Sequence, residues 1–135
     1  MTIARGGTLV TQTAAYIFAA VIAALAVFQI ALAAGAPLGR FAFGGGHVRL
    51  PVGFRIGSVV SLFIYGACAA VVSDRAGLVD LVADSVSGVG VYVVAGFMSL
   101  GVLMNAISRS KPERFTMTPV ALVLAAAAWV VALGS

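Results

Sequence analysis

The chain has 135 residues, of which 62% are hydrophobic and only 9% are charged, and its mean hydropathy is +1.16. This composition excludes a soluble globular domain and a disordered chain, and it places the sequence in the membrane class. The net charge of +4 does not predict nucleic-acid binding, because the basic residues lie between apolar segments and form no patch interleaved with aromatic residues. The single cysteine, Cys68, lies inside an apolar segment and predicts no disulfide.

Charged residues divide the sequence into four apolar segments, each long enough to cross a hydrocarbon core of about 30 Å as a helix. Helices are favoured because the segments lack the alternating pattern of barrel strands. The first segment is too long for a cleavable secretory signal, so we expect it to remain in the protein. The sequence predicts an all-α membrane protein, a single four-transmembrane-helix bundle over residues 1–135 with helices near 10–36, 53–73, 84–108 and 116–134.

The basic residues predict the orientation of these helices. Six of them lie in or beside the connections after the first and third helices, namely Arg40, Arg49, Arg55, Arg109, Lys111 and Arg114, and two, Arg5 and Arg75, lie on the opposite side. Because basic connections stay in the cytoplasm, we expect both termini outside and the connections 37–52 and 109–115 inside. The chain is therefore predicted to be a multi-pass membrane protein.

The sequence shows no recognisable catalytic or metal-binding constellation. It has no HExxH motif and no cysteine pair, and its one histidine, His47, lies on the opposite predicted side from Asp74, Asp80 and Asp84. The glycine triplet 44–46 lacks the Gly-Lys-Ser/Thr ending of a phosphate-binding loop. We therefore predict no catalytic residue, no metal and no cofactor. An enzyme acting on lipid-soluble substrates ranks third among the functional hypotheses.

Polar side chains recur inside the apolar segments, in the predicted cytoplasmic half. On the second helix four of them share one face by helical spacing: Ser58, Ser61, Tyr65 and Cys68. Gln29 on the first helix and Asn105 on the third lie at a similar depth. Since unpaired polar groups are costly in hydrocarbon, we expect these side chains to face one another or a ligand. The candidate ligand-binding residues are Gln29, Ser58, Ser61, Tyr65 and Asn105; the alternative is that they form only interhelical hydrogen bonds.

A resemblance to a known family lies in two segments, Gly35-Ala-Pro-Leu-Gly-Arg-Phe-Ala-Phe-Gly-Gly and Asn105-Ala-Ile-Ser-Arg-Ser-Lys-Pro-Glu-Arg. The chain resembles a widespread family of small, uncharacterised bacterial integral membrane proteins with four predicted spans. That family carries Gly-Ala-Pro-Trp-Gly, an Ala-Trp-Gly-Gly turn and Asn-x-x-Ser-Arg-Ser-x-x-Glu-Arg before a final Pro-Val. The matching positions here are Gly35, Pro37, Gly39, Gly44, Gly45, Leu50, Pro51, Arg55, Ser58, Ser61, Tyr65, Asn105, Ser108, Arg109, Ser110, Glu113, Arg114 and Pro119. Leu38 and Phe43 replace the two tryptophans. The resemblance implies the fold and the compartment, which is the bacterial inner (cytoplasmic) membrane, but no activity.

Charged residues of the two predicted cytoplasmic connections form a second candidate site, which we call the clamp. It would hold a lipid headgroup, or it would fix the two connections against each other. Its members are Arg40, His47, Arg49, Arg55, Arg109, Glu113 and Arg114. One predicted network joins the basic residues Arg55, Arg109 and Arg114 to Glu113, Asn105 and Gln29.

The leading functional hypothesis is a membrane protein that binds a lipid or other small amphipathic ligand in the cytoplasmic half of the bundle, with basic connections holding an anionic head. Membrane lipids are the expected partners, and nucleic acid is not. The alternative is a structural or accessory subunit that packs in a homo-oligomer or a larger membrane complex.

Overall fold

The structure is a computed structural model that describes residues 8–135, so Arg5 and the start of the first apolar segment lie outside the described residues. The described part contains no strand, and its four long helices are α1 (Leu9–Ala33), α2 (Val52–Arg75), α3 (Asp84–Ala106) and α4 (Lys111–Gly134). Each helix is long and apolar enough to cross a membrane. The predicted all-α, four-helix class is confirmed.

The four helices form a ring in which each packs against two others. α1 contacts α2, α2 contacts α3, α3 contacts α4 and α4 returns to α1, whereas the diagonal pair α2 and α4 contributes little. Among the four neighbouring pairs, α3 and α4 share the most extensive contact and α2 and α3 the least extensive. The seam between α2 and α3 is therefore the most weakly packed side of the ring.

The bundle has two unlike ends, because its helices run alternately up and down. Both described chain ends lie together at one end, where a Cβ atom on Gly134 would lie only 2.7 Å from the methyl carbon of Thr11. We call this the terminal end. The connections 34–51 and 107–110 lie at the other end, which we call the loop end.

The hydrophobic core is concentrated toward the terminal end. Each helix contributes a fully or almost fully buried side chain there, namely Phe18, Val72, Val91 and Val131. Alanines of α4 such as Ala128 let the neighbouring helices approach closely. Toward the loop end the buried apolar residues form only a small second cluster of Leu32, Ala42 and Leu50. Dense packing in one half of the bundle thus leaves the other half open.

At the terminal end, Asp74 fixes the connection between α2 and α3. Its side chain is fully buried, and one carboxylate oxygen accepts the backbone N–H groups of Leu81 at 2.7 Å and Val82 at 2.9 Å. Because these donors satisfy the carboxylate, α2 continues through Asp74 to Arg75, two residues past its predicted end. Gly77, with φ of +81°, then turns the chain out of the helix.

α1 ends at Ala33, three residues before its predicted end. Gly35 adopts φ of +92°, and its N–H donates to the carbonyl of Leu32 at 3.0 Å. The N–H of Ala36 donates to the carbonyl of Ala31 at 2.9 Å, which completes a Schellman motif. The glycine, rather than Pro37, therefore stops the helix.

α4 begins at Lys111, five residues before its predicted start, so residues 111–115 of the predicted connection 109–115 belong to the helix and only residues 109 and 110 to the connection. The hydroxyl oxygen of Ser110 accepts the backbone N–H of Glu113 at 3.4 Å, and Pro112 lies in the first turn. This arrangement is the helix start that Ser-x-x-Glu predicts. Since α3 ends at Ala106, two residues before its predicted end, the connection between α3 and α4 is short.

Candidate functional site at the loop end

The connection from α1 to α2 folds over the loop end through two short 3-10 turns, Gly39–Phe41 and Phe43–Gly45. The N–H of Gly39 donates to the carbonyl of Val48 at 2.7 Å, which draws the two halves of the connection together. A Cβ atom at position 39 would lie 2.0 Å from the carbonyl oxygen of His47. Only glycine allows this close approach.

Phe43 is held in a backbone conformation that is unusual for its residue type. Its φ is +51°, and Gly44 and Gly45 follow with φ of +79° and +73°. For a residue with a Cβ atom this conformation costs about 1–2 kcal/mol. The Phe43 ring stacks on Phe54 with the ring centroids 5.2 Å apart and lies against Gly57 of α2. These contacts hold Phe43 between the connection and α2.

Glu113 joins this connection to the start of α4. Its side chain is buried, and its Oε1 atom accepts the backbone N–H of Gly44 at 3.2 Å and the hydroxyl of Ser108 at 2.5 Å. The hydroxyl of Ser110 donates to the carbonyl of Arg40 and so ties the same two elements a second time. Within residues 8–135, no lysine or arginine forms an ion pair with Glu113. The carboxyl group is therefore held by uncharged donors.

The predicted network of basic residues around Glu113 is not formed. The Arg55 Nε–H donates to the carbonyl of Ala33 at 2.8 Å and so caps the end of α1. Arg114 donates to the carbonyl of Ser108 at 3.3 Å. These side chains find backbone carbonyls near helix ends, where acceptors are left unpaired.

The other predicted clamp residues lie on the outside of the loop end. Arg40, His47, Arg49 and Arg109 are exposed. The His47 ring lies 5.6 Å from the Phe54 ring, measured between centroids. Of the predicted clamp, only Glu113 is buried, Arg55 and Arg114 are partly buried and bonded to carbonyls, and these four exposed side chains are available to solvent or to lipid headgroups.

A cavity of about 330 Å³ lies beneath the connection, inside the open half of the bundle. All four helices and the connection contribute to its wall. Most of the wall is apolar and includes aromatic and methionine side chains such as Phe28, Phe41, Phe97, Met104 and Met117. A second space of about 410 Å³ adjoins it and shares Phe43, Met104, Asn105 and Glu113 with it. Glu113 thus lies at the boundary between the two spaces.

Four of the five predicted ligand-binding residues line the cavity of about 330 Å³ together, namely Gln29, Ser61, Tyr65 and Asn105. Ser58 does not line it, because its side chain is fully buried elsewhere on α2, with no hydrogen-bond partner for its hydroxyl. The Gln29 amide donates to the Tyr65 hydroxyl at 3.4 Å, which joins α1 to α2. The structure therefore brings together the polar groups of three helices around one cavity.

These polar groups are only partly satisfied by the protein. The Asn105 amide donates to the carbonyl of Gly101 at 2.7 Å, and the Ser61 hydroxyl donates to the carbonyl of Gly57 at 2.9 Å, each within its own helix. The Gln29 Oε1 atom is buried and has no hydrogen-bond partner. Since buried polar atoms are nearly always paired, this unpaired oxygen makes Gln29 a candidate binding residue.

No protein-family model, curated protein or solved structure matches this chain. The family resemblance seen in the sequence stays a prediction. Residues 8–135 contain no group of three or more His, Cys, Asp or Glu side chains placed to hold a metal ion. The functional conclusion therefore depends on the shape and chemistry of the cavity.

Sequence reasoning missed that Glu113 would line the cavity. The sequence assigned Glu113 to the connection 109–115 and to the clamp of charged residues, and not to the ligand-binding residues. The Ser110-x-x-Glu113 spacing was the available signal, since it places Glu113 in the first turn of a helix. That signal would have predicted that Glu113 belongs to α4 and not to the connection.

Proposed function

We propose that this protein binds a small amphipathic molecule or a lipid in the cavity at the loop end. The observation that carries the proposal is that Gln29, whose buried Oε1 atom has no hydrogen-bond partner, lines a mostly apolar cavity together with a few other polar side chains. A cavity of about 330 Å³ is at the lower end of the range of about 300–1,000 Å³ that small-molecule sites occupy. Apolar walls with a few convergent polar groups are typical of such sites.

The cavity also has a route to the surrounding lipid. Phe97, Leu100 and Met104 of α3 line the cavity and are each about half exposed on the outside of the bundle. The seam between α2 and α3 is the most weakly packed of the four. An apolar tail can therefore leave the cavity through this seam and continue in the hydrocarbon, while the head stays inside.

The loop end is the cytoplasmic end in this proposal, and the membrane is the bacterial inner membrane. Arg40, Arg49, Arg109 and Lys111 are exposed at the loop end, where they suit anionic headgroups of the cytoplasmic leaflet. The ligand would then be drawn from that leaflet.

A pair of glycines on α3 provides a matched test. A Cβ atom at Gly101 or at Gly96 would meet nothing within 4 Å, but only Gly101 lines the cavity, whereas Gly96 is exposed on the outside of the bundle. We expect Gly101→Leu to fill the cavity and Gly96→Leu to leave it open. Both changes replace the same residue type in the same helix, so their effects on helix propensity should match.

The measurement is native mass spectrometry of protein extracted in polymer-bounded membrane discs, followed by lipid analysis. The wild type and Gly96→Leu should retain a bound amphipathic molecule in a fixed ratio, and Gly101→Leu should lose it. Equal retention in Gly101→Leu, or no retained molecule in any form, would refute the proposal. A protein partner retained by all three forms without such a molecule would instead support the accessory-subunit alternative.

A further inference from the structure

We infer that the head of the bound amphipath donates hydrogen bonds and carries no negative charge, and that a primary amine is preferred to an alcohol. This inference rests on the proposed function and specifies the ligand of the same cavity. It differs from the anionic head that the basic connections suggested in the sequence.

The first support is the charge of the cavity wall. Glu113 is the only acidic or basic side chain among the described residues that line the two adjoining spaces. Its carboxyl group is buried and has no cationic partner within residues 8–135. A buried carboxylate without a counter-charge is unfavourable, so a cationic head beside it would be stabilised and an anionic head would be repelled.

The second support is the set of open acceptor atoms. Within residues 8–135, both hydrogen bonds to Glu113 end on Oε1, and Oε2 accepts none. Gln29 Oε1 is unpartnered, and the hydrogen bonds of Asn105 use its amide nitrogen and leave Oδ1 open. Side chains from three helices, Gln29, Asn105 and Glu113, thus place oxygen-bearing groups in the wall of the same cavity. An ammonium group supplies three N–H donors, and an alcohol supplies one.

The basic residues do not reverse this polarity. The Arg114 guanidinium donates to the carbonyl of Ser108 and lies 4.9 Å from the centroid of the Phe115 ring, so it is engaged outside the cavity. The exposed arginines at the loop end line neither space. They can attract anionic lipid to the surface, but they cannot neutralise a head placed next to Glu113. Phenylalanine rings in the wall, such as Phe28 and Phe97, also favour a cation.

The test uses three probes with the same twelve-carbon tail, namely dodecylamine, 1-dodecanol and dodecanoate. Binding is measured from the rise of the unfolding temperature in maltoside micelles at neutral pH. Unfolding is detected with a thiol-reactive dye, because Cys68 is the single cysteine and is buried. Dissociation constants follow from the concentration dependence of the shift. Gly101→Leu reports the shift that arises from binding outside the cavity, and this shift is subtracted.

We expect dodecylamine to bind most tightly, 1-dodecanol more weakly, and dodecanoate at least tenfold more weakly than the amine. Glu113→Gln should weaken dodecylamine at least tenfold, which corresponds to about 1.4 kcal/mol, and should change 1-dodecanol less than about threefold. Asp80→Asn removes the same charge from the exposed connection between α2 and α3 and should leave both affinities within about twofold. The comparison of the three probes on the unchanged protein decides the charge preference even if Glu113→Gln fails to fold.

The outcomes separate the two levels of the argument. If no probe gives a shift beyond that of Gly101→Leu, the proposed function fails and the head preference fails with it. If dodecanoate binds in the cavity as tightly as dodecylamine, the proposed function stands and the head preference is wrong. If Glu113→Gln weakens the amine and the alcohol equally, the carboxylate does not select the charge.

Discussion

Replacement of Ser108 by alanine tests whether Glu113 is held in place by uncharged donors. Ser108 is buried, and its hydroxyl donates to Glu113 Oε1 at 2.5 Å while accepting the backbone N–H of Ser110 at 3.2 Å. A hydrogen bond to a charged group contributes about 1.5–3 kcal/mol. After the change Glu113 keeps one donor, the N–H of Gly44. We therefore expect Ser108→Ala to lower the free energy of unfolding by about 1.5–3 kcal/mol.

The assay is denaturant unfolding in maltoside micelles, followed through the labelling of buried Cys68. Ser85→Ala serves as the control, because Ser85 is exposed and should change stability by less than about 0.5 kcal/mol. A double-mutant cycle with Glu113→Gln should give a coupling energy above about 0.5 kcal/mol. A cost for Ser108→Ala as small as that of Ser85→Ala, or additive effects in the cycle, would refute this account of how the carboxyl group is held.

Two further predictions concern the connection at the loop end. Gly39→Ala should lower the free energy of unfolding by more than about 2 kcal/mol, because its Cβ would lie 2.0 Å from a carbonyl oxygen. Gly46→Ala is the control, since a Cβ there would meet nothing within 4 Å. It should change the free energy of unfolding by less than about 0.5 kcal/mol in the same assay. Equal effects would contradict the close approach. Cysteines placed at Gly46 and Ser135 in a Cys68→Ala background should be labelled by an impermeant reagent from opposite sides of the membrane. Labelling of position 46 from outside would overturn the predicted orientation.

The four helices were readable from the sequence because hydrocarbon imposes a minimum length on any apolar segment that crosses it. Their ends were less readable, since charge was used as the boundary. Asp74 and Glu113 both lie inside helices, because backbone or hydroxyl donors satisfy their carboxyl groups. The glycine at position 35 was a better boundary signal than the proline two residues later.

The candidate site was only partly readable for a related reason. Helical spacing showed that Ser58, Ser61 and Tyr65 share a face, but a face about 100° wide contacts more than one neighbour. Ser61 and Tyr65 reach the cavity and Ser58 does not. Spacing within one helix gives no information on where the other three helices lie around it.

The arginines show a further limit. Arg55 and Arg114 were expected to pair with Glu113 because they have the opposite charge. Each instead donates to a nearby backbone carbonyl, which is fixed in place and costs less side-chain ordering to reach. Opposite charges in a sequence predict an ion pair only when no such local acceptor competes.

The uneven distribution of the core along the bundle has a consequence for exchange of a guest molecule. Asp74 and the buried valines and alanines pack the terminal end closely, while α2 and α3 share the least extensive contact of the four neighbouring pairs. Separating two helices at one end disrupts only the contacts made there, so the free-energy cost of such opening is a fraction of that of global unfolding. If the protein binds a molecule as proposed, we expect the loop end to open while the terminal end stays closed, so that a few side chains control entry and release.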